Sequence, residues 1–199
     1  RPTLSVDAAN RRHPPPGRPS RARPRFGPLP YPRLCRHRGR GGASVTVNRG
    51  EGPYPVIAVV GAGAWGTALA AIARQAGRDV RLWGRNPGDL ARIVETGRNE
   101  KYLEGIDLPR GIVCEPDLGR ALDGAACVLM VTPSRTLRDM ARRMAPHLDR
   151  GVPVVLCAKG IEQGSGKLLG EVVEEELPGH RIGVLSGPTF ARETALGFP

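Results

Sequence analysis

The sequence is poor in several residue types whose presence would mark a functional class. Aromatic residues make up only 4% of its 199 residues. The N-terminal stretch offers just Phe26 and Tyr31 for base stacking, too few for the interleaved aromatics of a single-strand nucleic-acid binder. The four cysteines, Cys35, Cys114, Cys127 and Cys157, stand singly with no CxxC pair, which excludes a zinc ribbon and a disulfide framework. Three of them fall in apolar strand-like runs, where a reduced cysteine acts as a small hydrophobe, and the compartment this implies is a reducing cytoplasm. His13, His37, His147 and His180 share no metal-ligand spacing, so no metal is expected. No apolar run approaches the roughly 20 residues needed to span a bilayer. The N-terminus also lacks the apolar core of a secretory signal.

Acidic residues are scarce in one region only. Residues 1–54 hold 12 arginines against Asp7 and Glu51 and so carry +10 of the formal net charge of +11, leaving +1 for residues 55–199. The basicity belongs to a tail, and the remainder gives no reason to expect a nucleic-acid partner. The tail reads as Arg/Pro-rich coil, with ten of the chain's 20 prolines and no period of 2 or 3.6. Such a composition cannot bury enough apolar surface to offset the entropy of ordering, and disorder is expected over 1–54. Three readings compete for it: a nucleic-acid-binding arm, an organellar transit peptide, and translated sequence upstream of the true start. The third is adopted because the first strand begins so soon after Val45 and Val47. Mass spectrometry finding residues 1–44 in the native protein would remove it. The chain begins at Arg1, has its first methionine at Met130, and stops at Pro199 after a glycine-bearing loop and the start of a helix; it is read as a fragment cut at both ends.

From Pro55 the pattern becomes regular over about 145 residues, a common domain size. Apolar runs at Val56–Val60, Asp79–Trp83, Ile112–Cys114, Ala126–Val131, Val152–Ala158 and Ile182–Ser186 are expected as strands. Helices are expected at Thr67–Gln75, Gly88–Glu95, Leu118–Leu122, Thr136–Met144 and Lys167–Leu177. Strands apolar throughout must be covered on both faces, and strands that alternate with helices need crossovers. The fold class is α/β, a Rossmann-like doubly wound parallel sheet.

Gly61-Ala62-Gly63-Ala64-Trp65-Gly66 directly follows an apolar strand and opens a helix, the context a GxGxxG dinucleotide motif requires. Gly61 permits the tight turn, Gly63 lets the backbone approach a pyrophosphate, and Gly66 allows close packing. The diphosphate sits at the helix N-terminus. After the second strand stands Trp83-Gly84-Arg85-Asn86 rather than the acid that holds a ribose 2′-hydroxyl. Arg85 suits a 2′-phosphate, so NADP is favoured over NAD, the plain alternative being a solvated arginine. Lys159-Gly160 and the Ser186–Ala191 loop follow the fifth and sixth strands at the edge where open α/β sheets bind ligands. There a lysine can meet a phosphate or carbonyl, and Thr189 can line a pocket, although a tight turn with a helix N-cap explains the loop as simply. Glu174-Glu175-Glu176 reads as a solvated helix end, and Trp83 as packing beside the sheet or touching a ligand.

Taken together, GAGAWGTALA, LWGRNP, NEKYL (Asn99–Leu103), VTPS (Val131–Ser134), AKGIE (Ala158–Glu162) and SGPTFARE (Ser186–Glu193) resemble, in order and spacing, the cofactor-binding domain of the bacterial-type NAD(P)-dependent glycerol-3-phosphate dehydrogenases. The resemblance covers residues 55–199 and none of the tail. It implies reversible hydride transfer between NAD(P)H and dihydroxyacetone phosphate, giving sn-glycerol 3-phosphate for phospholipid synthesis, in a cytoplasmic enzyme that is a homodimer when full length. It implies nucleotide contacts from Ala64, Trp65, Arg85, Tyr102 and Ala191, substrate contacts from Gly187 and Thr189, and both from Lys159. Ala64 stands where relatives often carry Ser, which removes a hydroxyl and leaves the backbone N–H. The family's general-acid lysine and its phosphate-binding Arg-Asn pair belong to a following helical domain absent from these residues. No catalytic residue is therefore expected here, and the fragment should bind nucleotide with almost no turnover. Two rivals are a related reductase of the 6-phosphogluconate or ketopantoate type and a nucleic-acid-binding protein resting on the tail alone. The first would not be expected to carry WGTALA, AKGIE and SGPTFA together, and the second should lose its binding when residues 1–54 are deleted.

Overall fold

A computed structural model describes residues 53–197; the expectation of disorder over 1–54 falls, but for its last two residues, outside them. Six strands, β1 (Val56–Val60), β2 (Asp79–Trp83), β3 (Ile112–Glu115), β4 (Cys127–Met130), β5 (Val154–Leu156) and β6 (Ile182–Val184), form one sheet in the order β3-β2-β1-β4-β5-β6. Every pairing is parallel. Six helices alternate with them: α1 (Ala64–Gln75), α2 (Pro87–Thr96), α3 (Leu118–Leu122), α4 (Leu137–Met144), α5 (Leu169–Glu176) and α6 (Ala191–Ala195). The chain leaves β1 to one side and, after β3, returns to pair β4 on the other side of β1. The carboxyl ends of β1 and β4 thus flank the crevice where such sheets hold their ligands.

The apolar strands are buried on both faces because their side chains alternate. Ala58 and Val60 of β1, Val128 and Met130 of β4, and Val154 and Leu156 of β5 pack against Leu118, Leu122, Leu137, Met144, Val172 and Val173 of α3, α4 and α5. The intervening Val59, with Val80 and Leu82 of β2, packs against Ala70 and Ala73 of α1. α1 is also buried on its outer side, where Ala68 meets Leu103, Ile106 and Ala195. A helix enclosed all round needs the small residues that fill it, Thr67-Ala68-Leu69-Ala70-Ala71.

β2 and α3 have the expected bounds. α1 starts three residues earlier than expected, because Gly63 is its N-cap and Thr67 N–H makes the first helical bond to Gly63 O at 2.9 Å. α2 gains a turn end from Asn86, whose side chain accepts from Gly88 N and Asp89 N, with Pro87 in the first turn. β5 is only Val154–Leu156, shorter than the apolar run that contains it, since its ladder with three-residue β6 sets its length. Trp83 is resolved as a packing residue: it is 4% exposed, its Nε1 donates to Pro116 O at 3.0 Å, and the Arg143 guanidinium lies over its ring. Glu174-Glu175-Glu176 is corrected. Glu175 and Glu176 pair with Arg138, and Glu176 also with Arg142, so only Glu174 is a plain solvated residue.

Candidate dinucleotide and substrate site at the carboxyl edge

The glycine loop is shaped by two positions that no side chain fits. Gly61 has φ +129°, and its N–H donates to Trp83 O at 2.9 Å; a Cβ there would lie 2.5 Å from Val131 O. A Cβ at Gly66 would lie 1.7 Å from Gly61 O, so the first turn of α1 is seated against the loop that precedes it. Nothing stands within 4 Å of a Cβ built on Gly63. That space opens before the start of α1, which has no side-chain cap and no acid in its first turn. The N–H groups of Ala64, Trp65 and Gly66 have no partner within the helix, and the helix dipole adds positive potential.

A cavity of about 310 Å³ adjoins this helix start, lined by Ala64, Trp65, Cys157, Lys159, Leu185, Ser186, Gly187, Thr189, Phe190 and Ala191. It brings together six of the residues expected at the site: Ala64, Trp65, Lys159, Gly187, Thr189 and Ala191. Lys159, just beyond β5, reaches across so that Nζ donates to Gly187 O at 3.2 Å. Thr189 does not cap α6, since Phe190 holds the N-cap position with no side-chain bond, and its hydroxyl is left for the cavity. Cys157 also lines the cavity, and burial pushes its thiol up to about 12, so it stays protonated and is no nucleophile at neutral pH.

Five residues expected to bind the nucleotide lie outside the cavity lining: Gly61, Gly63 and Gly66, in the loop and first turn next to Ala64 and Trp65, and Arg85 and Tyr102. Arg85, one residue past Gly84 at the end of β2, is exposed and makes no ion pair among the described residues. Tyr102 is 48% exposed, with Lys101 Nζ 5.1 Å from its ring centre.

One residue shaping the site had no assigned role in the sequence. Asn99, 3% exposed, donates from Nδ2 to Ala62 O at 3.0 Å and to Thr67 Oγ1 at 2.7 Å. It locks the carbonyl inside the glycine loop to the second turn of α1, and only its place in the NEKYL segment hinted at it. Thr132, just past β4 and beside Gly61, buries a hydroxyl with no hydrogen-bond partner, an orphaned polar group at the sheet's switch point. The open N-terminus of α1, the clear approach at Gly63 and the cations at the edge, Arg85 and Lys159, fit a dinucleotide.

Known proteins resemble the chain over this same stretch. Residues 56–199 match the family described as NAD-dependent glycerol-3-phosphate dehydrogenase N-terminus. A glycerol-3-phosphate dehydrogenase (NAD(P)+) of Mesorhizobium japonicum is 47% identical over 143 residues, covering 72% of this chain and 41% of the relative. One from Paramagnetospirillum magneticum is 49% identical over 143 residues, covering 72% and 52%. The crystal structure of glycerol-3-phosphate dehydrogenase from Coxiella burnetii superposes with a TM-score of 0.70 at 35% identity, covering 74% of this chain and 45% of that one. The chain thus spans about half, or less, of the length of these relatives.

Proposed function

Since this chain belongs to the NAD-dependent glycerol-3-phosphate dehydrogenase family, through the N-terminal domain of that family, we propose that residues 55–199 are the NAD(P)-binding domain of an enzyme reducing dihydroxyacetone phosphate to sn-glycerol 3-phosphate for phospholipid synthesis. The observation that carries the reading is the cavity joining the start of α1 to Lys159 and the Gly187–Ala191 loop. It unites a diphosphate-binding helix end with a cation and hydroxyl suited to a small phosphorylated substrate.

In this reading, the α1 N–H groups at Ala64, Trp65 and Gly66 hold the pyrophosphate, with Gly61 and Gly63 clearing its approach. Arg85 pairs with a 2′-phosphate, which favours NADP over NAD, and Tyr102 flanks the nucleotide. Bound, the cofactor supplies or accepts a hydride. Lys159 faces both cofactor and substrate, Gly187 and Thr189 contact substrate, and Ala191 contacts cofactor. Holding the two reactants together in one cleft is the main contribution such a domain makes to rate. No proton donor for the carbonyl oxygen is assigned to these residues. Residues 1–54 are a tail outside the chemistry, and the working enzyme is a cytoplasmic homodimer with no nucleic-acid or membrane partner. No helix among the described residues is long and apolar enough to cross a membrane.

Titrating the purified chain with NADPH and assaying it with dihydroxyacetone phosphate tests the proposal. Saturable NADPH binding with almost no turnover is expected. Absence of binding by a folded chain would refute the cofactor assignment, and substrate-dependent NADPH oxidation would refute the absence of a proton donor.

A further inference from the structure

The loop carrying Lys159 has little intrinsic shape. Between β5 and α5 it contains Gly160, Gly164 and Gly166 at φ +122°, +94° and +68°, conformations that ordering must select from many. It closes on itself through an isolated antiparallel bridge between Ile161 and Leu168. Glu162 N donates to Lys167 O at 2.9 Å, and Gly166 N to Glu162 O at 3.1 Å. A flexible four-carbon side chain on such a loop needs an anchor to be aimed.

Glu162 is that anchor. Its carboxylate accepts Arg138 Nε at 2.7 Å and Nη2 at 2.8 Å, a planar fork, and Ser165 Oγ at 2.6 Å. Arg138 projects from α4, whose apolar face is buried in the core, and its remaining N–H group pairs with Glu175 and Glu176 of α5. The Arg138, Glu162 and Glu176 side chains are only 21%, 19% and 15% exposed, unlike the solvated pairs that contribute little. Arg142 and Lys167 complete the cluster on Glu176 and Glu175. With Asp139, which also pairs with Arg142, three cations thus face four carboxylates. The cluster spends its own charge, and Lys159, three residues before Glu162, remains the cation directed at the cavity.

We propose that Arg138 is a positioning residue which, by clamping Glu162 to α4 and α5, holds Lys159 at the height of Gly187 for the anionic groups of cofactor and substrate. This rests on the reading of Lys159 as a ligand contact. It adds that the geometry of Lys159 is set by a pair on the far side of its loop.

The chain has only three lysines, Lys101, Lys159 and Lys167, so reductive methylation with a ¹³C label gives a sparse spectrum in which Lys159→Arg assigns the Lys159 signal. NADPH is the probe, used on the full chain. Arg138→Met should weaken NADPH binding on the order of tenfold, within the range of coupling between contacting residues. It should also shrink the shift NADPH causes in the Lys159 signal, and Arg138→Lys should restore only part of both, because it lacks the fork. In a Lys159→Met background, Arg138→Met should add less than about a twofold loss. Equal losses in both backgrounds, or an unchanged Lys159 signal in Arg138→Met, would overturn the proposal. If Arg138→Met does not fold, Glu162→Gln, which keeps shape and one acceptor, takes its place with the same readouts. If Lys159→Met alone binds NADPH normally, the contact reading of Lys159 fails, while the Lys159 signal still judges whether Arg138 positions it.

Discussion

Alanine at Gly66 and alanine at Gly63 should separate what the glycine loop does for the fold from what it does for the ligand. At Gly66 the new Cβ would sit 1.7 Å from Gly61 O and 2.9 Å from Gly61 C. Both are backbone atoms with no rotamer to yield, so reaching the roughly 3.0 Å floor of real contacts moves the helix start or the loop by about 1.3 Å. Overpacking of this kind costs about 1–3 kcal/mol, and the better helix propensity of alanine returns up to about 1 kcal/mol. The net loss is on the order of 1–2 kcal/mol, which lowers Tm by about 3–6 °C in a domain of this size. The same displacement takes the α1 N–H groups out of charge-assisted range of a phosphate, where each bond contributes about 1.5–3 kcal/mol. NADPH affinity should fall at least about tenfold. At Gly63 a Cβ meets nothing within 4 Å, and the φ of −77° suits any residue. Gly63→Ala should therefore melt within about 3 °C of the parent, the cap preference for glycine and the entropy gain of alanine nearly cancelling. Its methyl nevertheless stands where the pyrophosphate must come, and binding should weaken at least about tenfold, as at Gly66. Circular-dichroism melts and NADPH fluorescence titrations measure both quantities. Gly63→Ala binding NADPH like the parent would refute the placement of the pyrophosphate, and an unchanged melt for Gly66→Ala would refute the packing argument.

Arg85→Asp should weaken NADPH while leaving NADH binding nearly unchanged, because the partner proposed for position 85 is the 2′-phosphate alone; equal NADPH binding by calorimetry would remove that role. Deleting residues 1–54 should leave NADPH affinity unaltered, and a loss in the same titration would bring the tail into the site. The Arg138 guanidinium, with Ser165, holds the Glu162 carboxyl down at about 2 against an ordinary 4.5. A group whose folded pKa is depressed stabilises the fold above its unfolded pKa and loses that contribution as pH falls toward the folded value. The melting gap between the parent and Glu162→Gln should be constant from pH 7 to about 4.5 and close between 4.5 and 2. A gap that widens as pH falls would contradict this pairing.

What the sequence makes legible follows from where the deciding forces act. The strands could be read because each is apolar on both faces, and a run such as Val56–Val60 has one stable use, at the centre of a covered sheet. Gly61 to Gly66 could be read because the positive φ of Gly61 and the contact of Gly66 with Gly61 O are local to one turn, although Val131 O also bars a side chain at Gly61. Strand ends were less legible: β5 stops at Leu156 although the apolar run continues to Ala158, because its length depends on the partner strand. The start of α1 was misplaced for a related reason, since glycine at an N-cap leaves no side-chain signature. Asn99 could not be given its role from sequence, because it acts on Ala62 and Thr67, 37 and 32 residues away, and a polar side chain bonding over that distance has no period. Arg138 and Glu162 escaped in the same way, and the Glu174–Glu176 run was misjudged because a charge run looks alike whether solvent or a facing helix receives it.

Charge shows the limit of composition most clearly. Within residues 55–199 the count is nearly balanced, and the structure shows that a few of the cations are engaged in holding backbone together. Arg74 donates to Arg110 O and Arg78 O as well as to Asp79, and Arg81 reaches Arg120 O and Asp123 O at the carboxyl end of α3. Those guanidiniums serve carbonyls at loop and helix ends, and Arg138 serves three carboxylates. A cation becomes a candidate ligand contact only when no carboxylate neutralises it among the described residues and it also stands at the carboxyl edge. Being free of ion pairs is insufficient, since exposed Arg110 and Arg150, which precede β3 and β5 at the opposite edge, also have none among the described residues. Arg85 and Lys159 meet both conditions, one past the end of β2 and the other past the end of β5. On that ground Arg110→Ala and Arg150→Ala should leave NADPH binding unchanged where Arg85→Asp and Lys159→Met do not. A loss as large from either would show that general surface charge, and not position at the sheet edge, draws the nucleotide in.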